Sequence, residues 1–488
     1  MLKQSRFFRF QNGTERYIYS GYTGLLLKDN DTIKNFLDNP YGDETLEKYL
    51  ISDMGSGHTK NYSNTTPYVE GIILFVTNYC NLNCIYCYNK SNEINKADHM
   101  STDTFEQAIQ YFLQNFHYGK TISMQFFGGE PLLNFPLIKH AVAYARELQD
   151  QYNVKFWFSI TTNATVITKE IRDFLWENKI EIMVSIDGDR ATHDKQRPFL
   201  DGSGSYDTIM KNVQLLSGLP ALVRATIYDP RTNLVSLYED LIESGFESLL
   251  IDYASINKCP VSKDDLDLMA ANIKDLAGYV SRNMQEGRVI RFKNIMENIF
   301  KIHNGSKKRH PCDTGVSRFT VACDGKIYGC HRFNNLETLN WGNVFKGLDF
   351  SKRTDFLSSH IISQRNPYCQ HCWAGMLCGG DCYHTSYMAS GNTRSIDQTH
   401  CFAMKEIIAK SLLIYTSLSE EMRSRIGKRT IRATPIKERQ TNFPYVAQSI
   451  KDGIEVLNIR ALASTSDSDL SVCDCDFCEG CSSDIIYA

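Results

Sequence analysis

Phe75-Val-Thr-Asn-Tyr-Cys80-Asn-Leu-Asn-Cys84-Ile-Tyr-Cys87-Tyr88 places three thiols close together, separated by three and then two residues. Thiols so spaced can converge on one centre, and soft thiolate ligands suit iron-sulfur clusters, zinc or cuprous copper. A structural zinc site closes its shell with four protein ligands, whereas three thiolates on a four-iron cube leave one iron free for another ligand. On spacing alone, half a zinc site or three buried thiols stay open as readings. The apolar run Gly71-Ile-Ile-Leu-Phe-Val leads into the first Cys as a strand.

The surrounding chain narrows the choice. Its 488 residues suffice for roughly two or three domains, each with a full core. A formal net charge of -3 gives no general pull toward nucleic acid or an anionic membrane. No run of 18 apolar residues occurs, and the N-terminus lacks the apolar core and cleavage site of a signal peptide, so a cytoplasmic location is expected. In that compartment 16 Cys point to metal or redox chemistry rather than disulfides.

Residues 1–70 read as a small separate unit. Strand-like runs at 16–20 and 24–27 flank a turn at Gly21, a helix covers 32–37 after the cap Asp31, and a linker follows at 55–66. From 71 to 257, apolar strands alternate with helices of period 3.6. Strands are expected at 71–79, 121–127, 154–161, 180–186, 222–228 and 248–254, with helices such as 105–116 and 137–152 between them. This is an α/β fold, a parallel β/α array whose functional groups belong at the C-terminal strand ends. Residues 258–311 add a helical bridge, with helices at about 263–286 and 293–303 and a buried, inert Cys259.

With Tyr86 before the third Cys and the apolar strand before the first, the opening stretch resembles the radical S-adenosylmethionine (SAM) superfamily. The resemblance implies that Cys80, Cys84 and Cys87 hold a 4Fe-4S cluster whose unique iron is chelated by SAM, and that electron transfer releases a 5'-deoxyadenosyl radical. Six β/α units match that family's partial, TIM-like (β/α)6 barrel. Phe127-Gly128-Gly129-Glu130-Pro131, after the second strand, is similar to the motif that binds the SAM amino group. Glycines there allow close backbone approach, and Glu130 is an acceptor for an ammonium. Thr162-Asn163-Ala164 is similar to the family's Thr-Asn-Gly, with Ala in place of Gly. Ser185 and Arg197 match residues that contact the SAM ribose and carboxylate. A low-potential electron donor such as flavodoxin or ferredoxin is implied as a partner.

Residues 312–405 form a second Cys-rich region. Cys312 is followed by Gly325 and Cys330, then by Cys369, Cys372, Cys378, Cys382 and Cys401. These intervals resemble the SPASM domain, an extension carrying two auxiliary 4Fe-4S clusters; a zinc ribbon is the rival. By that family's ligation, Cys369, Cys372, Cys378 and Cys401 hold one cluster completely. Cys312, Cys330 and Cys382 hold the other, whose fourth ligand is either Cys323, in a probable hairpin, or an open position. The match is best with members that modify peptides, in which an N-terminal hairpin and helix often hold the leader of a precursor peptide. Sulfatase maturases, which make formylglycine, carry an Asp base after the Cys of the Gly-x4-Cys element; here His331 stands there. Cys330-His331-Arg332-Phe333 and the stretch from Trp373 to His384 look instead like thioether-forming maturases. Asp187 or Asp381 could replace the missing base, so a formylglycine-type oxidase remains the alternative. A non-catalytic zinc scaffold is the second.

Residues 406–488 end the chain with a helix at about 402–418, a basic turn-rich stretch at 428–439 and an acidic tail. From Ser464 onward the tail has six acids, no Lys or Arg, and Cys473, Cys475, Cys478 and Cys481. Such a composition is expected to stay solvated and disordered, and its thiols make an attached, substrate-like segment the sharper reading.

Overall fold

The computed structural model describes residues 6–38, 67–89, 99–219, 221–254, 261–426 and Leu457. The linker at 55–66, Cys259, the basic stretch at 428–439 and the Cys-rich tail lie outside the described residues. The chain divides into two compact units. One comprises 61–260 and 312–359; the other comprises 1–60, 261–311 and 360–488. The second Cys-rich region is therefore shared between them.

The unit of 61–260 and 312–359 is built on one sheet. Its strands are β4 (Tyr68–Thr77), β5 (His117–Gly128), β6 (Lys155–Thr162), β7 (Glu181–Ser185), β8 (Ala221–Ile227) and β9 (Ser248–Tyr253). They are parallel and adjacent in chain order. Alternate residues such as Ile122, Met124 and Phe126 or Phe156, Phe158 and Ile160 are buried under the intervening helices. Those helices include α2 (Thr102–Asn115) and α3 (Phe135–Tyr152), α2 being started by the Ser101 side chain accepting from Thr104 N. β5 begins at His117, ahead of the expected 121, because His117–Lys120 is too polar to show a strand pattern yet pairs with Tyr68 and Val69.

The sheet continues past β4. β10 (Arg318–Val321) pairs parallel to it, followed by the antiparallel β11 (Lys326–Tyr328), β12 (Asn340–Asn343) and β13 (Gly347–Leu348). The β10–β11 turn is the hairpin expected at Cys323-Asp324-Gly325, closed by Gly325 N donating to Ala322 O.

The other unit contains an antiparallel sheet of β1 (Phe7–Asn12), β2 (Glu15–Ser20) and β3 (Leu26–Lys28), followed by α1 (Asp31–Asp38). Within the same unit α4 (Lys263–Gln285) and α5 (Lys293–Asn304) pack on a long helix, Gln398–Ser417. Ser262 and Asp265 form a capping box at the start of α4, and Met269, Ile273, Leu276 and Val280 make its buried stripe. β1 had no expected counterpart: Phe8 is stacked on Trp373, 4.1 Å between ring centres, a partner distant in sequence.

Candidate active site

The three-Cys loop leaves the C-terminal end of β4 and is gripped on two sides. On one side Gly129 N donates to Thr77 O (2.8 Å) and Glu130 N to Tyr79 O (2.9 Å). A Cβ on Gly129 would lie 2.2 Å from Tyr79 O, so this approach of the two strand ends admits only glycine. On the other side Asn83 N donates to Pro198 O (2.8 Å) and Ile85 N to Gln196 O (2.9 Å). Cys87 N closes a turn onto Cys84 O, Leu82 N donates to Cys80 Sγ (3.4 Å), and Asn163 Nδ2 reaches the same sulfur at 3.8 Å. N–H groups aimed at sulfur suit a thiolate. Burial, then Glu130, pushes the Cys80 thiol well up, so a thiolate there calls for a bound cation, and the donor set fits an iron-sulfur centre.

Glu130 is fully buried at the end of β5. It accepts from Leu132 N (3.1 Å), Thr162 Oγ1 (2.7 Å) and Asn163 N (2.7 Å), which ties β5 to β6. Burial pushes its carboxyl up to about 7, against the pull of those three hydrogen bonds. Asn163 Oδ1 in turn accepts from Thr165 N and Oγ1, while its amide donates to Asn81 Oδ1 (2.9 Å). Ala164 has φ +58, so it keeps the left-handed backbone that a glycine would adopt more cheaply, by about 1–2 kcal/mol.

Ser185 ends β7, and two residues on Asp187 is buried. Asp187 accepts from Arg197 Nε (2.9 Å) and Nη2 (3.0 Å), from Thr226 N (2.8 Å) and from the Tyr86 hydroxyl. The guanidinium also lies over the Tyr86 ring, 5.3 Å from its centre. Arg197, which the resemblance assigns to the SAM carboxylate, is thus engaged by Asp187, and Asp187 is tied down rather than poised as a base.

Further groups converge on the same strand ends. Asp252, on β9, pairs with Arg224 and with Arg332 (3.2 Å), and Arg332 lies over the Tyr88 ring. His331 packs against Phe127, 4.8 Å between ring centres, and against Tyr88 at 6.1 Å. Asn334 Nδ2 donates to Asn78 Oδ1 (2.9 Å). The Gly-x4-Cys element therefore delivers its His to the end of β5, beside the three-Cys loop. Tyr88, Arg224 and Asp252 were not foreseen from the sequence, although the strand-end rule applied to β8 and β9 points to the last two.

In the other unit, Cys369, Cys372, Cys378 and Cys401 border one small cavity of about 20 Å³ with Asp381, His400 and Lys405. Short helical turns bring them together, Cys372 N donating to Cys369 O and Cys378 N to Ala374 O. Gly379, at φ +78, ends the second turn where a Cβ would meet His310 O at 2.2 Å. Burial pushes the Cys378 and Cys401 thiols up to about 12. Burial also opposes the charged form of Asp381, but hydrogen bonds from His400 and Asp397 N outweigh it and hold its carboxyl below the usual range. Among the described residues no three His, Cys, Asp or Glu side chains close on a single metal ion.

The remaining thiols are divided. Cys312 and Cys330 belong to the sheet unit, Cys382 to the other. Cys323 is buried and donates to Phe75 O (3.0 Å).

The profile of the Radical SAM superfamily matches residues 74–226. Uncharacterized protein MJ0907 of Methanocaldococcus jannaschii is 37% identical over 204 residues, 41% of this chain and 67% of that protein. Radical SAM cyclopropyl synthase TigE of Paramaledivibacter caminithermalis is 24% identical, covering 78% of this chain and 82% of its own. The cysteine-type anaerobic sulfatase-maturating enzyme of Clostridium novyi is 21% identical over 70% of this chain and 95% of its own. Among solved structures, anSMEcpe with bound AdoMet superposes with a TM-score of 0.60 at 19% identity, over 73% of this chain and 97% of that one. The chain belongs to the radical SAM superfamily and is an enzyme that takes SAM and a 4Fe-4S cluster.

Proposed function

We propose that this enzyme modifies a ribosomally made peptide by bonding a Cys sulfur to a peptide carbon, forming a thioether. The observation that carries this choice is His331 at the end of β5, where sulfatase maturases place an acid. The two acids that could stand in for that base are committed elsewhere, Asp187 to Arg197 and Asp381 to His400. Modification of a polypeptide is supported by the name of one relative, a sulfatase-maturating enzyme. A non-catalytic zinc scaffold, weighed from cysteine spacing alone, falls with membership of an enzyme family.

Cys80, Cys84 and Cys87 would hold the cluster, which together with SAM would supply radical chemistry able to remove a hydrogen atom from a peptide carbon. The protein's part is to bind, orient and exclude side reactions. Gly128, Gly129 and Glu130 form the floor next to the loop, Glu130 being the acceptor for an ammonium. Tyr86, Asn163 and Ser185 complete the SAM-facing rim, with Arg197 held in its ion pair with Asp187. Cys369, Cys372, Cys378 and Cys401 hold a second cluster in the SPASM region. Cys312 and Cys330, in the sheet unit, are the thiols there that a third cluster would draw on, and the nearby Cys323 thiol donates to Phe75 O. A flavodoxin or ferredoxin supplies the electron, in the cytosol; no helix among the described residues is long and apolar enough to cross a membrane. The sheet of β1 to β3 serves peptide binding.

Coexpression with a neighbouring small open reading frame, then mass spectrometry, tests the reading. A thioether removes the mass of two hydrogens and one alkylatable thiol together. Loss of the hydrogens with every thiol still alkylatable, or exchange of Cys sulfur for oxygen, would replace it with the cyclopropyl or formylglycine chemistry of its relatives.

A further inference from the structure

Arg365 ends the short helix Ile362–Arg365, in the unit that holds the four-thiol cavity, and it is 3% exposed. Its guanidinium donates through Nη1 to the Asp381 carbonyl and through Nη2 to Ser386 Oγ and the Thr393 carbonyl, both at 2.8 Å. It lies over the Tyr383 ring, 4.9 Å from the centre, and its Nε is buried with no hydrogen-bond partner among the described residues. Each acceptor it meets there is neutral. The Asp381 carboxylate turns instead to His400 Nδ1, Cys382 N (2.8 Å) and Asp397 N (2.6 Å), and reaches Arg365 through the Ser386 hydroxyl (3.1 Å).

A full charge held this deep is unfavourable unless an opposite charge offsets it. The cavity is the place for that charge. Gly380 and Asp381 line it, and a Cβ on Gly380 would lie 3.1 Å from Arg365 Nη1, so the guanidinium sits directly behind that wall. Burial pushes the Cys369 thiol up, and Arg365 is the strongest pull against it. We infer that Arg365 is the counter-charge of the centre bound by Cys369, Cys372, Cys378 and Cys401, and that it sets how readily this centre takes an electron. The inference rests on the reading of these thiols as iron-sulfur ligands; the burial of a guanidinium among neutral acceptors does not. Net charge and hydrogen bonding around the sulfurs are the protein's levers on the potential of such a cluster. A fixed cation beside it favours the more reduced, more negative state. Arg365 thereby acts on the reaction through the centre, as a positioning residue.

Anaerobic reconstitution of the full chain with iron and sulfide, followed by a redox titration read by electron paramagnetic resonance, tests this. The signal of the four-thiol centre is the one lost in Cys372→Ala. In Arg365→Gln the ratio of reduced to oxidised centre at a fixed potential should fall about tenfold, a shift of about 59 mV for one electron. Arg365→Lys, which keeps the charge and loses the planar fork, should restore most of that ratio. An unchanged ratio in Arg365→Gln overturns the inference and leaves the cluster assignment standing. If Arg365→Gln sheds its iron, retention of iron and potential by Arg365→Lys upholds the counter-charge, and equal loss in both overturns it by showing a structural role only. Iron content and signals that are the same in the parent and in a folded Cys372→Ala mean that no cluster sits at these thiols, and the assignment then fails together with the inference.

Discussion

The three thiols at the end of β4 lie among hydrogen-bonding side chains from successive strand ends: Glu130, Asn163, Asp187 with Arg197, and Asp252 with Arg332. The four thiols between 369 and 401 instead share their cavity with Ile362, Met404 and Ile408, and with one tight acid–imidazole pair, Asp381 and His400. On the ligation proposed above, the centre that stays closed would draw all four ligands from the chain beside apolar side chains, and the one that another molecule enters would draw three and keep a rim of donors and acceptors.

The largest expected effect breaks the first half of that comparison. Replacing Cys80, Cys84 and Cys87 together by Ala should abolish 5'-deoxyadenosine formation while iron and sulfide persist at the 369–401 cavity. Undiminished SAM cleavage in anaerobic assays of that variant would falsify the assignment of the loop.

Removing one thiol from the closed set should act differently. In Cys372→Ala, peptide product should be lost while some uncoupled 5'-deoxyadenosine continues to form. Circular dichroism must first show a folded variant, since a missing ligand can unfold a metal domain. Normal product from a folded variant lacking that cluster would erase the distinction between the two centres.

Much of this was legible in the sequence because burial writes strong patterns. The β/α array could be read from apolar strands between helical periods, and its strand ends then located Glu130, Asn163 and Ser185. The four-thiol cavity was legible as spacing. What escaped depends on distant partners. β1 alternates Phe with polar residues and is only half-buried, its Phe8 stacked on the distant Trp373 and its Phe10 on Tyr17. Arg318-Phe-Thr-Val321 is too short to declare itself, and its pairing with β4 is set by tertiary structure. Asp187 and Arg197 were both visible, yet whether the guanidinium meets that acid or a ligand is decided by how the chain turns between them.

That pair gives a smaller, structural test of the open site. Asp187 has no exposed side-chain surface and Arg197 little. Asp187→Asn would leave a buried guanidinium without its counter-charge, at a cost of about 3–5 kcal/mol. Urea unfolding should show that loss, and Asp187→Asn with Arg197→Met should recover most of it. A single variant as stable as the parent would mean that the ion pair does not organise this rim.

The smallest expected effect concerns two buried groups at the open site that titrate in opposite directions. Burial holds the Glu130 carboxyl up at about 7, above its ordinary 4.5, so its share of stability is full below 4.5 and is lost as pH rises through about 7. Burial, then the neighbouring Arg197, pushes His193 down to about 4 from 6.5. Its share is full above 6.5 and is lost as pH falls through about 4. Each shift corresponds to about 3 kcal/mol, so between roughly pH 4.5 and 6.5 the two slopes oppose each other and stability without SAM should change little. Glu130→Gln should uncover stability rising with pH, and His193→Gln stability falling with pH, in urea midpoints taken at pH 5, 6 and 7. A parent curve as steep as either variant's would show that these two groups do not offset each other. An ammonium bound at Glu130 would hold its carboxylate charged, so adding SAM to the parent should reproduce the rising slope of Glu130→Gln.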